Sequence, residues 1–182
     1  MVLKPEYVDS VQWDIVRNQI DSDYGAGVTK RILGALTPVS LPRAKGISFY
    51  LVPTGWLQIL DRDFKPFTPL SLGMWLGDLV EGLFRLSLPA LERVQEHTSN
   101  LLIVSKRGAE SFTYGRSILK ESVVKIAPSL LRGQRVFILN ESNECLGLAA
   151  LSVDAYKIER LAKDRLVAKN LVDIGWYIRR LS

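Results

Sequence analysis

At 182 residues with 47% hydrophobic side chains, the chain can bury one sizeable core or two small ones. Its single cysteine, Cys145, and single histidine, His97, exclude a disulfide framework and a multi-cysteine or multi-histidine metal site within one chain. The net charge of +5 is unevenly spread. Residues 1–96 hold ten Lys/Arg against eleven Asp/Glu and residues 97–182 hold fourteen against eight, so the excess lies in the second half and points to a polyanion such as nucleic acid.

From Pro5 to about Ile20, Tyr7, Val11, Ile15 and Ile20 recur at helical spacing among Glu6, Asp9, Asp14, Arg17 and Asp21. This predicts an amphipathic helix with Pro5 at its start. Asp23 to Gly27 punctuates it, and a second short helix is expected over Val28 to Leu36 before Pro38 and Pro42 break the chain. Residues 47–60 read as a hairpin around Pro53-Thr54-Gly55, and Gly82 to Leu91 as a further strand. The first half is then a small α+β domain with an antiparallel sheet.

The second half is cut into six short apolar runs: Leu101–Val104, Val123–Ile126, Arg135–Leu139, Leu146–Leu151, Leu166–Ala168 and Trp176–Ile178. That spacing predicts a compact barrel or sandwich. The boundary falls near Glu96 to Asn100, giving domains at 1–96 and 97–182. The longest uncharged stretch, Gly46 to Leu60, is too short to span a bilayer as a helix and contains Pro53 and Gly55. With no secretory pattern at the N-terminus, the expectation is a soluble cytoplasmic protein without a membrane partner.

Catalytic patterns are scarce. Gly25-Ala26-Gly27-Val28-Thr29-Lys30 lacks the third glycine of a dinucleotide fingerprint and the ending of a P-loop, and reads as a turn between helices. Cys145 sits in an apolar strand pattern, where a buried inert thiol is the usual outcome, so a Cys145–His97 nucleophile pair is disfavoured. Asp61 and Asp63 flanking Arg62 read as a solvated turn. No enzyme, no cofactor and no metal are expected.

Binding patterns are richer. Lys157, Arg160, Lys163, Arg165 and Lys169 crowd into thirteen residues, Arg179 and Arg180 follow, and Tyr156, Trp176 and Tyr177 are interspersed. Cations for phosphate and rings for stacking suit RNA; a solvated surface with Trp176 in the core is the competing reading, and for Trp176 the preferred one. A regular strand through Arg165-Leu166-Val167-Ala168-Lys169 puts Arg165 and Lys169 on one face with Val167, and Leu166 and Ala168 toward the core.

Lys106-Arg107-Gly108-Ala109-Glu110-Ser111-Phe112-Thr113-Tyr114-Gly115, followed by Ile118-Leu119-Lys120, resembles the opening strand, helix and glycine turn of a PUA domain. Leu146-Gly147-Leu148-Ala149 and Asp173-Ile174-Gly175-Trp176-Tyr177-Ile178-Arg179 resemble its later strands. Ser71-Leu72-Gly73, Gly77, Phe84-Arg85-Leu86 and Ala90-Leu91 extend the likeness to the Nip-seven family of large-subunit ribosome biogenesis factors, of archaeal type.

The resemblance implies an N-terminal α+β domain that engages other assembly proteins and a PUA-type mixed β-barrel that binds single-stranded, uridine-rich pre-rRNA. It places basic contacts at Lys157, Arg160, Lys163, Arg165 and Lys169, and others at Tyr114, Gly115, Arg116, Lys120, Arg179 and Arg180 through the first helix, the glycine turn and the final strand. Gly115 would allow positive φ and a close approach by RNA, or serve as a helix cap. Phe112 is expected in the core, with Tyr114 open between core and surface. The expected protein is a monomer, cytoplasmic, or nucleolar and nuclear if the source is eukaryotic. The alternative is a protein-interaction adaptor without intrinsic RNA affinity. An RNA-modifying enzyme is disfavoured, because residues 1–96 offer no cofactor loop.

Overall fold

The computed structural model describes residues 4–59, 72–176 and 179, in two units, Met1–Arg93 and Val94–Ser182. Both mix helices and sheet. The readings made above for Leu60, Asp61, Arg62, Asp63, Ser71, Tyr177, Ile178 and Arg180 lie outside the described residues.

In the first unit, strand β1 (Glu6–Tyr7) precedes helix α1 (Ser10–Tyr24). Asp9 caps α1 by accepting from the Val11 and Gln12 amides at 3.0 and 3.1 Å. Pro5 is therefore not at the helix start, because a side-chain acceptor four residues later ends the extended segment. The buried stripe is Val16, Ile20 and Tyr24, at i, i+4 and i+8. Of the four residues expected on it, only Ile20 is buried; Val11 is 67% exposed and Ile15 36%. After the Gly25–Gly27 turn, α2 (Val28–Leu33) begins with Asp21 accepting from both the amide and the hydroxyl of Thr29, at 2.7 and 2.8 Å.

Strands β2 (Leu36–Arg43), β3 (Gly46–Pro53), β4 (Met74–Val80) and β5 (Leu83–Leu86) complete an antiparallel sheet ordered β1-β2-β3-β4-β5. Pro38 and Pro42 do not break the chain but lie inside β2. The unbroken register from Leu36↔Pro53 to Arg43↔Gly46 turns their missing donors away from β3, toward β1, which pairs only at Val39 and Ser40. The hairpin partner of β3 is thus β2, and Pro53-Thr54-Gly55 leads into a 3-10 turn, Thr54–Ile59, not a second strand.

The expected strand to Leu91 ends at Leu86. Ser87 Oγ accepts from the Ala90 amide at 3.2 Å, and with Pro89 in the first turn this starts helix α3 (Leu88–Gln95). Phe49 anchors one sheet face, its ring 6.2 Å from those of Trp13 and Phe84. Gln19 clamps the β5 edge by donating to Gly82 O at 2.7 Å and accepting from the Phe84 amide at 2.8 Å.

The second unit is a mixed, nearly closed sheet ordered β7-β11-β10-β9-β6-β8. Its strands are β6 (Leu101–Val104), β7 (Ile118–Leu119), β8 (Val123–Ile126), β9 (Arg135–Leu139), β10 (Cys145–Leu151) and β11 (Leu166–Asp173). Among the described strands of this sheet, β6 and β9 pair in parallel and the other pairs are antiparallel. The edge strands β7 and β8 are joined by a 3-10 turn, Lys120–Ser122, which brings the two edges together. Helix α4 (Lys106–Thr113), capped by Ser105 Oγ on the Gly108 amide, drops Phe112 into the barrel among Leu102, Val104, Ile118, Val136, Ile138 and Val167.

Five of the six apolar runs are strands; of the sixth only Trp176 is among the described residues, and it lies outside the sheet. The chain leaves the sheet after Asp173, and Trp176 opens a helical turn, with the Arg179 amide donating to Gly175 O at 3.0 Å. Ile174, Gly175 and Trp176, expected in a late strand, thus lie beyond the end of β11. Cys145 is half-buried at the start of β10.

Candidate nucleic-acid interface

Regular alternation in β11 fails. Val167 and Ala168 are both fully buried, whereas Leu166 is 41% exposed. The register against β7 skips between Leu166 and Ala168, so two successive residues turn inward. Arg165 precedes the strand. Its amide donates to Ala162 O and its carbonyl accepts from the Lys120 amide at 2.9 Å, while Lys163 O accepts from Glu121 at 3.0 Å. These two bonds fasten the 161–165 loop to the Lys120–Ser122 turn and bring Lys120, Lys163 and Arg165 together from distant parts of the chain.

A 3-10 turn, Ala155–Arg160, buries Ala155 and Ile158 and leaves Tyr156, Lys157, Glu159 and Arg160 exposed. A groove of about 450 Å³ is lined by Tyr156 and Glu159 from this turn, by Lys120, and by Val124 and Lys125 from β8. Lys157 is paired with Asp154 at 2.7 Å and stands 5.2 Å from the Tyr156 ring centre. Hydrogen bonding between the partners raises the Lys157 pKa and lowers that of Asp154, so both stay charged near neutrality. Lys125 was not singled out from sequence. A lysine inside the short apolar run Val123–Ile126 is the signal that marks an edge strand.

The other end of β7 carries the glycine turn. Tyr114 is 75% exposed, and Gly115 takes φ +88° with its amide on Phe112 O at 2.8 Å. The space beside Gly115 is filled from within: a β-carbon there would stand 3.2 Å from Arg179 Nη2. Arg179 forms a bidentate pair with the buried Asp173, both bonds 2.9 Å, and donates to Thr113 O at the end of α4. Hydrogen bonding to Asp173 raises its pKa. Arg179 thus clamps the C-terminal turn onto α4, and what reaches Gly115 meets that guanidinium first.

Asn170 completes the clamp. Its amide group donates to Phe112 O at 3.1 Å, Arg116 O at 3.4 Å and Asp173 Oδ2 at 3.1 Å. Asn170→Ala is expected to cost about 1–3 kcal/mol, because the acceptors it serves are partly withdrawn from water. Urea denaturation checks this; an unchanged midpoint would show that water replaces the side chain.

Through β7 the two clusters share one barrel edge, with Leu119 paired to Leu166 and Ile118 to Ala168. Arg116 and Lys169 are exposed along it. Trp176, preferred for the core, is 38% exposed, and Tyr114 lies on the surface. No group of three or more metal-ligating side chains occurs among the described residues, and no described helix is long and apolar enough to cross a membrane.

A small mixed barrel plugged by one helix, with a glycine turn beside its last strand, is the PUA architecture. Residues 100–182 match the family model described as the UPF0113 PUA domain. Among curated proteins, the chain is 28% identical over 111 residues to the "60S ribosome subunit biogenesis protein nip7" of Schizosaccharomyces pombe, covering 60% of this chain and 62% of that one. It is 31% identical over 111 residues to an Archaeoglobus fulgidus UPF0113 protein, covering 61% and 63%. The Saccharomyces cerevisiae NIP7 protein is 26% identical over 131 residues, covering 71% and 72%. The first two matches thus span less than two thirds of the relatives' lengths.

The fold extends further than the family match. A conserved PUA domain protein from Thermoplasma acidophilum superposes with a TM-score of 0.62 at 11% identity, over 98% of this chain and 99% of that one. A PUA domain structure from Aeropyrum pernix gives 0.60 at 18%, over 98% and 91%.

Proposed function

We propose that the protein is a non-enzymatic, RNA-binding assembly factor of the large ribosomal subunit that holds single-stranded, uridine-rich pre-rRNA on its PUA domain. One observation carries the reading. Backbone bonds from Lys120 and Glu121 to Arg165 and Lys163 draw cation-bearing segments from separate parts of the chain together, and Lys120 lines a groove with the exposed ring of Tyr156. Cations spaced along an edge suit a phosphate backbone, and an exposed ring suits a stacked base. The naming of the curated relatives as subunit biogenesis proteins supplies the large-subunit context.

In this reading Lys120, Lys125, Arg160, Lys163, Arg165 and Lys169 contact phosphates, with Lys157 held in reserve by Asp154, and Tyr114 and Arg116 extend the track past Gly115. The first unit engages other assembly proteins through the apolar surface that α1 leaves uncovered, where Val11 and Ile15 lie one turn apart.

Fluorescence anisotropy with oligouridine, oligoadenosine and a duplex at several salt concentrations tests the reading. Arg160→Ala/Lys163→Ala/Arg165→Ala should weaken oligouridine binding and flatten the logarithmic salt slope by about 0.7 per lost contact, roughly 2 in all. An affinity and slope that the triple variant fully retains would move the interface to another face. No RNA binding at all would leave a protein-interaction adaptor.

A further inference from the structure

The first unit carries a pocket, apolar over most of its wall but edged with charged and polar side chains, that this function leaves unused. Phe49 faces α1, so its neighbours Ser48 and Tyr50 point to the opposite side of the sheet. There a cavity of about 450 Å³ is lined by Arg43, Lys45, Ser48, Tyr50, Trp75 and Asp78. Register sets the arrangement, pairing Ser48 with Asp78 and Tyr50 with Trp75.

The walls are held by a chain of hydrogen bonds. Arg43 donates through Nε to Ser48 Oγ at 3.3 Å and through Nη2 to the Tyr50 hydroxyl at 2.9 Å. Ser48 Oγ and Trp75 Nε1 both donate to Asp78 Oδ1, at 2.7 and 3.2 Å. Asp78 Oδ2 accepts no hydrogen bond among the described residues. Lys45 stands exposed at the rim.

We propose that this pocket binds one nucleotide of single-stranded RNA whose base carries an exocyclic amino group. The Trp75 ring, fixed through its indole N–H, is a stacking platform, and Lys45 with Arg43 supplies positive charge for the phosphate. Among the described residues lining the pocket, two cations, Arg43 and Lys45, stand against one carboxylate, which favours an anion over a basic peptide. The unused oxygen of Asp78 accepts from the amino group of cytosine, adenine or guanine. Uracil offers only an N–H between two carbonyls, which a carboxylate repels. The site therefore reads a different base from the uridine preference proposed for the PUA domain.

NMR titration of the full chain with cytidine monophosphate, followed on the Trp75 indole N–H, tests it. Saturable movement of that signal is expected at millimolar ligand, with uridine monophosphate binding more weakly. Lys45→Ala should lower affinity about fivefold, and Trp75→Leu, followed instead on the backbone amides of Ser48 and Asp78, about 5- to 160-fold, the range for a lost stack. Asp78→Asn should erase the cytidine preference. An unmoved Trp75 signal, or an affinity that Lys45→Ala leaves unchanged, overturns the site; equal binding of the two nucleotides overturns the base assignment. Because Lys45 is solvent-exposed, its variant stays interpretable even if the Trp75 variant misfolds. Arg160→Ala/Lys163→Ala/Arg165→Ala should keep the full response to cytidine monophosphate, so failure here and failure of the PUA interface are read separately.

Discussion

Phe112→Ala is expected to destabilise the second unit by about 3–5 kcal/mol, the range for truncating a fully buried phenylalanine. Phe112 is 0% exposed and, with Gly108, forms the buried face of α4. An eight-residue helix does not persist on its own in water, so α4 depends on the side chain it inserts into the barrel. Loosening α4 also releases the Phe112 and Thr113 carbonyls that Asn170 and Arg179 hold, and with them the Tyr114-Gly115-Arg116 turn. Urea denaturation followed on amide resonances of β9 and β10 measures the effect. A loss under about 1 kcal/mol would mean that the barrel collapses around the missing ring and that α4 is held from elsewhere.

Gly147→Ala is the second large effect, at about 3 kcal/mol or more, from a steric clash added to backbone strain. Gly147 lies in β10 at φ +148°, where the register against β9 skips past Leu146. A β-carbon there would meet Val172 O at 2.2 Å, Asp173 Cα at 2.8 Å and Phe112 Cε1 at 3.0 Å. Neighbouring strands pair with β10 on both sides, so the backbone cannot retreat without giving up a ladder. The nearest obstacle is main chain, so adding Phe112→Leu should restore little. Denaturation of the single and double variants checks this, and substantial rescue by the smaller side chain would identify the ring as the true obstacle.

Much of the PUA unit was legible because its signals are local. Leu101–Val104 is a short apolar run, Ser105 precedes the helix, and Gly115 follows it, so strand, helix and turn each announce themselves within a few residues. The first unit read less well. Val11 and Ile15 have the spacing of a core stripe yet face solvent, because the sheet claims Val16 and Ile20 instead. Pro38 and Pro42 look like breakers, and only the identity of the neighbouring strand makes them tolerable. Val167 and Ala168 both turn inward because β11 is bulged against its partner, a property of two strands together.

The candidate interface divides in the same way. Clustering of Lys157, Arg160, Lys163, Arg165 and Lys169 is a property of the chain, and so is the basic excess of the second half. That Arg179 is spent on Asp173, that Lys157 is paired with Asp154, and that Lys125 joins the groove are not. The first two depend on the turns that fold Asp154 back on Lys157 and Asp173 back on Arg179, and the third on which distant segment arrives beside β8.

By itself, then, the sequence determined the two-part organisation of charge and the short apolar runs that become the barrel strands, since these rest on composition and on spacings of a few residues, and it carries the helix-and-glycine segment by which the second half resembles a PUA domain. Only the tertiary structure decided which faces are buried, which cations remain available for phosphate and which side chains form the pocket around Trp75. Burial and enclosure are relations between residues remote in the chain, and ion pairing depends on the local turn that the fold imposes, so their free energies arise only once packing has brought the groups within a few ångströms of each other.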